Sequence, residues 1–243
     1  MFYDFDSIDN ARDLSGLTRP DGARIREGML LRTGHLGRAS DGDIKRLVDM
    51  GLGLVVDMRD NRERDRHPDQ PVPGAKNVHI PPVPDLEVYI PIKSQDPLEV
   101  REVFHQFYRL LSPHPLAIDA YGAFFRELLG LEGRPVLWHC TQGKDRTGVG
   151  TALLMSALGF DRDAIIAEYL LTNQFAQKQM EALAGAPEAQ RALMREVFFV
   201  CERNIRFYFD CVEMEYGSIG HYLEMALNVG PDEIEKLEEY YLE

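Results

Sequence analysis

The stretch Arg134 to Gly159, RPVLWHCTQGKDRTGVGTALLMSALG, limits the possible folds more than any other part of the chain. Its first residues, RPVLWHC, read as a strand. Its last, TGVGTALLMSALG, read as a helix with no polar face, which has to be buried on every side. Strand and helix of this kind belong inside a layered α/β body, with the polar segment between them at the carboxyl edge of the sheet.

The rest of the first half alternates in the same way. GMLLRTG (Gly28 to Gly34) reads as a short strand. Ser40 with Asp43 three residues on signals the start of a helix carrying Ile44, Leu47 and Val48, and Gly51 suits its end. LGLVVDM (Leu52 to Met58) is a continuous apolar run, as a strand covered on both faces would be. RDNRERDRHPD predicts a short helical turn ended by Pro68; KNVHI (Lys76 to Ile80) predicts another strand, and PPVPD after it a loop. Amphipathic segments follow at Leu98 to Leu111 and Leu116 to Leu129. Beyond Thr147 the chain reads as almost wholly helical. Asp161, Ser218 and Pro231 sit at helix starts, and Gln174 to Arg195 form a lightly packed pair broken at AGAP. The expected fold is α/β: a central, mostly parallel sheet flanked by helices, with a largely helical C-terminal half. Residues 1–243 read as a single domain.

Charge and composition exclude several roles. With 27 Lys and Arg against 40 Asp and Glu, the formal net charge is −13, which argues against nucleic acid or anionic lipid held by the whole surface. The N-terminal residues lack the basic and apolar pattern of a signal peptide, and no apolar run suits a membrane span, so a cytoplasmic location without stable membrane insertion is expected. The three cysteines, Cys140, Cys201 and Cys211, have neither CxxC nor zinc-like spacing, and no HExxH occurs; no metal or cofactor is expected. Cys201 and Cys211 are expected to be inert core thiols.

Cys140 differs. A strand brings it to the sheet edge, and Gly143 permits a turn in which the amides of Thr141, Gln142, Gly143 and Lys144 can converge on an anion. The following helix adds positive potential at its N-terminus, and the planar fork of Arg146 can hold two oxygens of a phosphoryl group. The same groups act on the thiol. An ordinary cysteine is only about 3% thiolate at pH 7, whereas helix amides and neighbouring cations stabilise the anion. Cys140 can then attack phosphorus to form a phosphocysteine that water hydrolyses, with Arg146 and the amides stabilising the equatorial oxygens. Thr147 can donate to the sulfur, and His139 can tune the loop from the strand side. The segment is not a nucleotide-binding Walker A loop, because Trp138 stands where its first glycine is required and Asp145 follows the lysine.

His139, Cys140 and Arg146 match the HCx5R signature of the cysteine-dependent protein tyrosine phosphatase superfamily, and Thr147-Gly148 its usual continuation. HCTQGKDRTG resembles a bacterial branch of tyrosine and phosphoinositide phosphatases. NARDLSGL, MLLRTGHL (with Thr33 where Ser is usual), VVDMRDNRE, YLLTN and EYGSIGHYL resemble that branch's other elements. Arg12, Arg32, Asp57, Arg59 and Glu63 are expected to form a polar network holding the sheet rather than to take part in the chemistry. The resemblance implies a phosphotyrosine-protein or phosphoinositide substrate.

It also implies a carboxylic acid that protonates the leaving oxygen. Asp85, in the proline-constrained PPVPDL segment, is similar in position to the general-acid loop of tyrosine phosphatases and is favoured. Asp145, inside the loop, either orients water or takes that role itself. Lys144 either engages a second substrate phosphate, as in lipid phosphatases, or serves loop geometry alone. Gln174 to Arg195 either form a helical lid over the site, as in a relative, or pack ordinarily. Two other functions use the same loop: a catalytically silent phosphate-binding module, and sulfur transfer through a Cys140 persulfide.

Overall fold

The computed structural model describes residues 2–85, 87 and 95–243. A sheet of five strands runs through it: β1 (Arg12–Asp13), β2 (Leu30–Thr33), β3 (Leu54–Asp57), β4 (Lys76–His79) and β5 (Val136–His139), in the order β1-β2-β5-β3-β4. β2, β5, β3 and β4 are parallel, and β1 alone runs antiparallel, against β2. The last strand in sequence is thus the central one, and its register aligns Thr33, His139 and Asp57 at the carboxyl edge.

Every residue of β2, β3 and β5 is buried, and the side chains divide by the two-residue period of a strand. Leu30, Leu54, Val56, Val136 and Trp138 face the larger core, while Leu31, Val55 and Leu137 face a smaller one. The smaller layer consists of the N-terminal segment and α1 (Asp41–Asp49), which contributes Leu47. A short helix, α2 (Asn61–Arg66), follows β3 at the carboxyl edge. The larger layer holds α3 (Pro97–Leu111), α4 (Pro115–Leu129), α5 (Asp145–Ala157), α6 (Arg162–Leu170), α7 (Thr172–Ala182), α8 (Glu188–Phe198), α9 (Glu202–Tyr216), α10 (Ile219–Met225) and α11 (Pro231–Tyr241). In α5 every residue except Ser156 is buried. Helix α9 packs against α3, and α8 against both α3 and α7. No helix among the described residues is long and apolar enough to cross a membrane.

The expected α/β architecture is present, and so are the capping signals. Ser40 and Asp43 form a capping box, and the Asp161 and Ser218 side chains cap α6 and α10. Three details differ. Helix α5 begins at Asp145 rather than after Thr147. β1 was not visible as a strand, because two polar residues carry no period. Cys201 and Cys211 are not core thiols: Cys201 is exposed at the N-cap of α9 and Cys211 is half-buried along that helix, which hides only one face.

β1 is held by charge. Arg12 and Arg32, side by side in the β1–β2 register, both reach Glu168 of α6: Arg12 Nε lies 2.7 Å from Oε1 and Arg32 Nη1 2.6 Å from Oε2. All three side chains are essentially without solvent contact. Burial would push the Glu168 carboxyl upward, but the two guanidiniums outweigh it and keep it below its ordinary value of 4.5. The stability this carboxylate contributes is therefore complete above that value and is lost as pH falls through its lower folded value. Glu168→Ala, which leaves two buried cations uncompensated, is expected to cost roughly 3–5 kcal/mol in urea unfolding at neutral pH. The deficit should shrink in acid; a deficit that does not change with pH would contradict the charge-based account.

Candidate active site

β5 ends at His139, and the chain then turns through Cys140 to Lys144 before α5 begins. The turn depends on Gly143, whose φ is +66°. A Cβ there would lie 2.2 Å from the Thr33 carbonyl oxygen and 2.8 Å from the Gly34 nitrogen, so no other residue fits without moving backbone.

The loop carbonyls are drawn outward. Arg32 Nη2 donates to Gly143 O at 2.7 Å, Asn10 Nδ2 to Gln142 O at 3.0 Å and Gly143 O at 3.1 Å, and the His35 amide to Thr141 O at 3.2 Å. Across a trans peptide the N–H points opposite to the C=O. Fixing these oxygens on the outside therefore turns the amides of Gln142, Gly143 and Lys144 the other way, which makes an anion-binding concavity. Asn10, at a φ of +52°, is itself held by Arg12 Nη1 at 2.5 Å. The network under β1 and the shape of the loop are one structure.

Cys140 is 2% exposed. Burial pushes its thiol upward, but the charge of Arg146, with the hydroxyl and amide of Thr147, brings it below its ordinary value of 9.0. Arg146 forms a two-pronged pair with Glu63, through Nη1 to Oε2 and through Nη2 to Oε1 at 2.9 Å. Glu63 also accepts from the Thr141 hydroxyl and from the Asp60 amide at 2.9 Å, as half of the capping box that starts α2. Burial would raise the Glu63 carboxyl; Arg146 and these donors lower it to about 2. Arg146 Nε is buried without a hydrogen-bond partner. An unsatisfied guanidinium nitrogen beside the sulfur marks a place where a polar ligand belongs.

A cavity of about 160 Å³ opens over the sulfur, with Val103, Phe104, Phe107 and Val197 as apolar walls. Thr141, Gln142, Lys144, Asp145 and Arg146 line it from the loop. Lys144 is 4% exposed. Its Nζ donates to Val197 O near the end of α8 and lies 4.3 Å from the Phe104 ring centroid. Asp145 Oδ1 accepts from the Tyr108 hydroxyl at 2.8 Å, and that hydroxyl lies 2.5 Å from the one on Tyr169. Asp85 is exposed and does not line the cavity; Leu86 after it lies outside the described residues. The loop bearing Asp85 is tied to α2, because the Asn61 amide donates to Pro84 O at 3.1 Å.

His139 is buried beneath the loop, with Nδ1 3.2 Å from Cys140 O and Nε2 3.1 Å from Asp69. Burial lowers its pKa, but Asp69 and Asp57 outweigh burial and raise it. Asp57, Asp69 and His139 have spacing that could hold a metal ion. Arg59 already donates to both carboxylates at 2.8 Å, so a cation occupies that place.

Sequence reasoning put Glu63 in the sheet-holding network with Arg12, Arg32, Asp57 and Arg59. The other four do lie under or beside the sheet, but Glu63 lines the cavity. Its legible signal was the Asp60-x-x-Glu63 capping box, which fixes the direction of that side chain. Asn10, Tyr108 and Val197 carried no comparable signal.

Comparison with known proteins agrees with this geometry. A family model described as "tyrosine phosphatase family" matches residues 3–243. A protein of Cupriavidus necator named as a tyrosine-protein phosphatase is 34% identical, over 98% of this chain and 87% of its own. The triple specificity protein phosphatase PtpB of Mycobacterium tuberculosis is 29% identical, over 83% of this chain and 87% of its own. A solved structure of P. aeruginosa TpbA covers 72% of this chain and 90% of its own at 16% identity and a TM-score of 0.32, too distant to bear on the chemistry. The match across nearly the whole chain, together with its 34% identical relative, means that the chain belongs to the tyrosine phosphatase family and is a protein-tyrosine phosphatase.

Proposed function

We propose that the chain hydrolyses phosphotyrosine through a phosphocysteine on Cys140. The observation that carries this reading is the pairing of a thiol held below its ordinary pKa with an unpartnered, buried Arg146 Nε in the same loop. The thiolate attacks phosphorus in line, and the phosphoryl oxygens take hydrogen bonds from Arg146 Nε and the inward-facing amides. Glu63 occupies the two terminal nitrogens of the guanidinium and so fixes which edge is left for substrate. Thr147 stabilises the sulfur as it departs in the second step. The apolar walls suit the ring of a phosphotyrosine side chain. A phosphoinositide is the second reading, supported by Lys144 lining the same cavity. Against it, the ammonium is engaged by Val197 and Phe104. We read residues 1–243 as one phosphatase domain in which α7 and α8, through Val197, form a side wall in place of a complete lid.

Steady-state hydrolysis of a phosphotyrosine peptide and of soluble phosphoinositides in EDTA tests this. Wild-type protein should turn over the peptide faster, and Cys140→Ser should abolish turnover of both. Folded, reduced wild-type protein that binds but does not hydrolyse them would favour the silent module, and thiocyanate formed from thiosulfate and cyanide would favour sulfur transfer. Because Arg146 is the leading stabiliser of the thiolate, alkylation of Cys140 by iodoacetate in wild-type protein should persist below the pH range of an ordinary thiol. In Arg146→Ala that profile should move to higher pH.

For the general acid we favour Asp85. The Tyr108 phenol donates to Asp145, whose role is then that of an acceptor that fixes the loop beside Lys144. Asp85→Asn should lower kcat on phosphotyrosine peptide by about 10²-fold, and less on an aryl phosphate with an acidic leaving group. Asp145→Asn should not show this dependence on the leaving group; if it does and Asp85→Asn does not, the assignment is reversed.

A further inference from the structure

A second cavity, of about 430 Å³, lies beside the one over Cys140 and shares Phe104, Lys144 and Asp145 with it. One layer of side chains thus separates the two. The neighbouring cavity lies where α3, the end of α8 and the start of α9 meet, and its charge is opposite to that of the molecule. Arg101, Lys144, Arg195 and Arg203 line it against the two carboxylates of Asp145 and Glu196, in a chain with a formal net charge of −13.

The cations differ in how fully they are used. Arg101 is engaged by both oxygens of Glu196, at 2.9 and 2.6 Å, and Lys144 lies 3.6 Å from Asp145. Arg203 has only a loose, exposed pair, 3.6 Å from Glu102. Arg195 makes no ion pair among the described residues and stands 5.8 Å from the Phe199 ring centroid. At the same cavity α9 begins with Cys201 as its N-cap, which makes no side-chain capping bond, and Glu202 in the first turn offsets the positive end of the helix. With Arg101 and Lys144 matched by Glu196 and Asp145, Arg195 and Arg203 leave the cavity a surplus of positive charge.

We propose that this cavity is a specificity subsite that takes a carboxylate of the substrate: an acidic residue close to the phosphotyrosine in a peptide whose phosphate enters the Cys140 pocket. The inference rests on the phosphotyrosine reading above and adds the sequence context that the enzyme prefers. Recognition through Arg195 and Arg203 is exposed and electrostatic, so it changes affinity by a small factor, weakens with salt and leaves the chemical step unchanged. It also gives an acidic protein a locally attractive route for an acidic peptide.

Fluorescence anisotropy with Cys140→Ser protein tests the subsite without turnover, using two labelled phosphotyrosine peptides that differ only in Glu or Gln at the positions flanking the phosphotyrosine. The Glu peptide should bind about fivefold more tightly at low ionic strength. The advantage should vanish in Cys140→Ser protein that also carries Arg195→Ala and Arg203→Ala, and it should shrink in high salt. Hydrolysis of p-nitrophenyl phosphate by protein with Cys140 intact should be the same with and without the two arginine substitutions. Equal affinity for the two peptides, or a Glu preference that survives both substitutions, would overturn the subsite. Failure of wild-type protein to cleave p-nitrophenyl phosphate would count against the catalytic reading alone, because the binding comparison reads the subsite separately.

Discussion

Much of the structure depends on the peptide at Gly143, pressed against the Thr33 carbonyl where no side chain has room. A turn this tight leaves carbonyl oxygens that have to be satisfied inside the protein, and buried groups do it: Arg32 from β2 and Asn10 from the segment before β1. Arg32 is a buried cation and needs a counter-charge, which Glu168 provides. Arg12 shares that carboxylate and steadies Asn10. The N-terminal strand and helix α6, far apart in sequence, are thus bound to the loop by the requirement that buried charge and buried hydrogen-bonding groups be matched.

Above this base, the site is assembled from elements with different roles. The sheet sets the position of Cys140, because β5 is the central strand and ends at the residue before it. Helix α5 supplies Arg146 and Thr147 from its first turn. Helices α3 and α8 supply the apolar walls, and the Lys144 ammonium joins the loop to a carbonyl near the end of α8, where the helix dipole is negative. The sulfur therefore sits between a charged floor and greasy walls, and interactions among the floor groups are strengthened because those side chains are buried.

How far this could be read from the sequence depended on whether each feature is local. Apolar period and capping residues are local, and they located β2, β3, β5, α1, α5 and α6 to within a few residues. The spacing from His139 to Gly148 is local too, and it identified the loop. Glu63 was misjudged because its partner, Arg146, is 83 residues away, and only the folded chain brings the two together. The same holds for Lys144. A lysine in an anion-binding loop looks free to meet a substrate until a helix from more than fifty residues on supplies a carbonyl for it. β1 and the exposure of Cys201 likewise depend on tertiary neighbours. For Asp85 the prolines before it were legible, but in the fold the residue is exposed and does not line the cavity over the sulfur.

One feature of α2 links stability to aim. Glu63 closes the capping box of that six-residue helix and, with the same carboxylate, grips Arg146. The three-residue spacing from Asp60 is thus a ruler shared by a helix end and the arginine beside the sulfur. A substitution at Asp60 or a shift in the register of α2, on a different element from the sulfur, would reorient the guanidinium as surely as a change in the loop. The orientation of this arginine is encoded in the way a neighbouring helix begins.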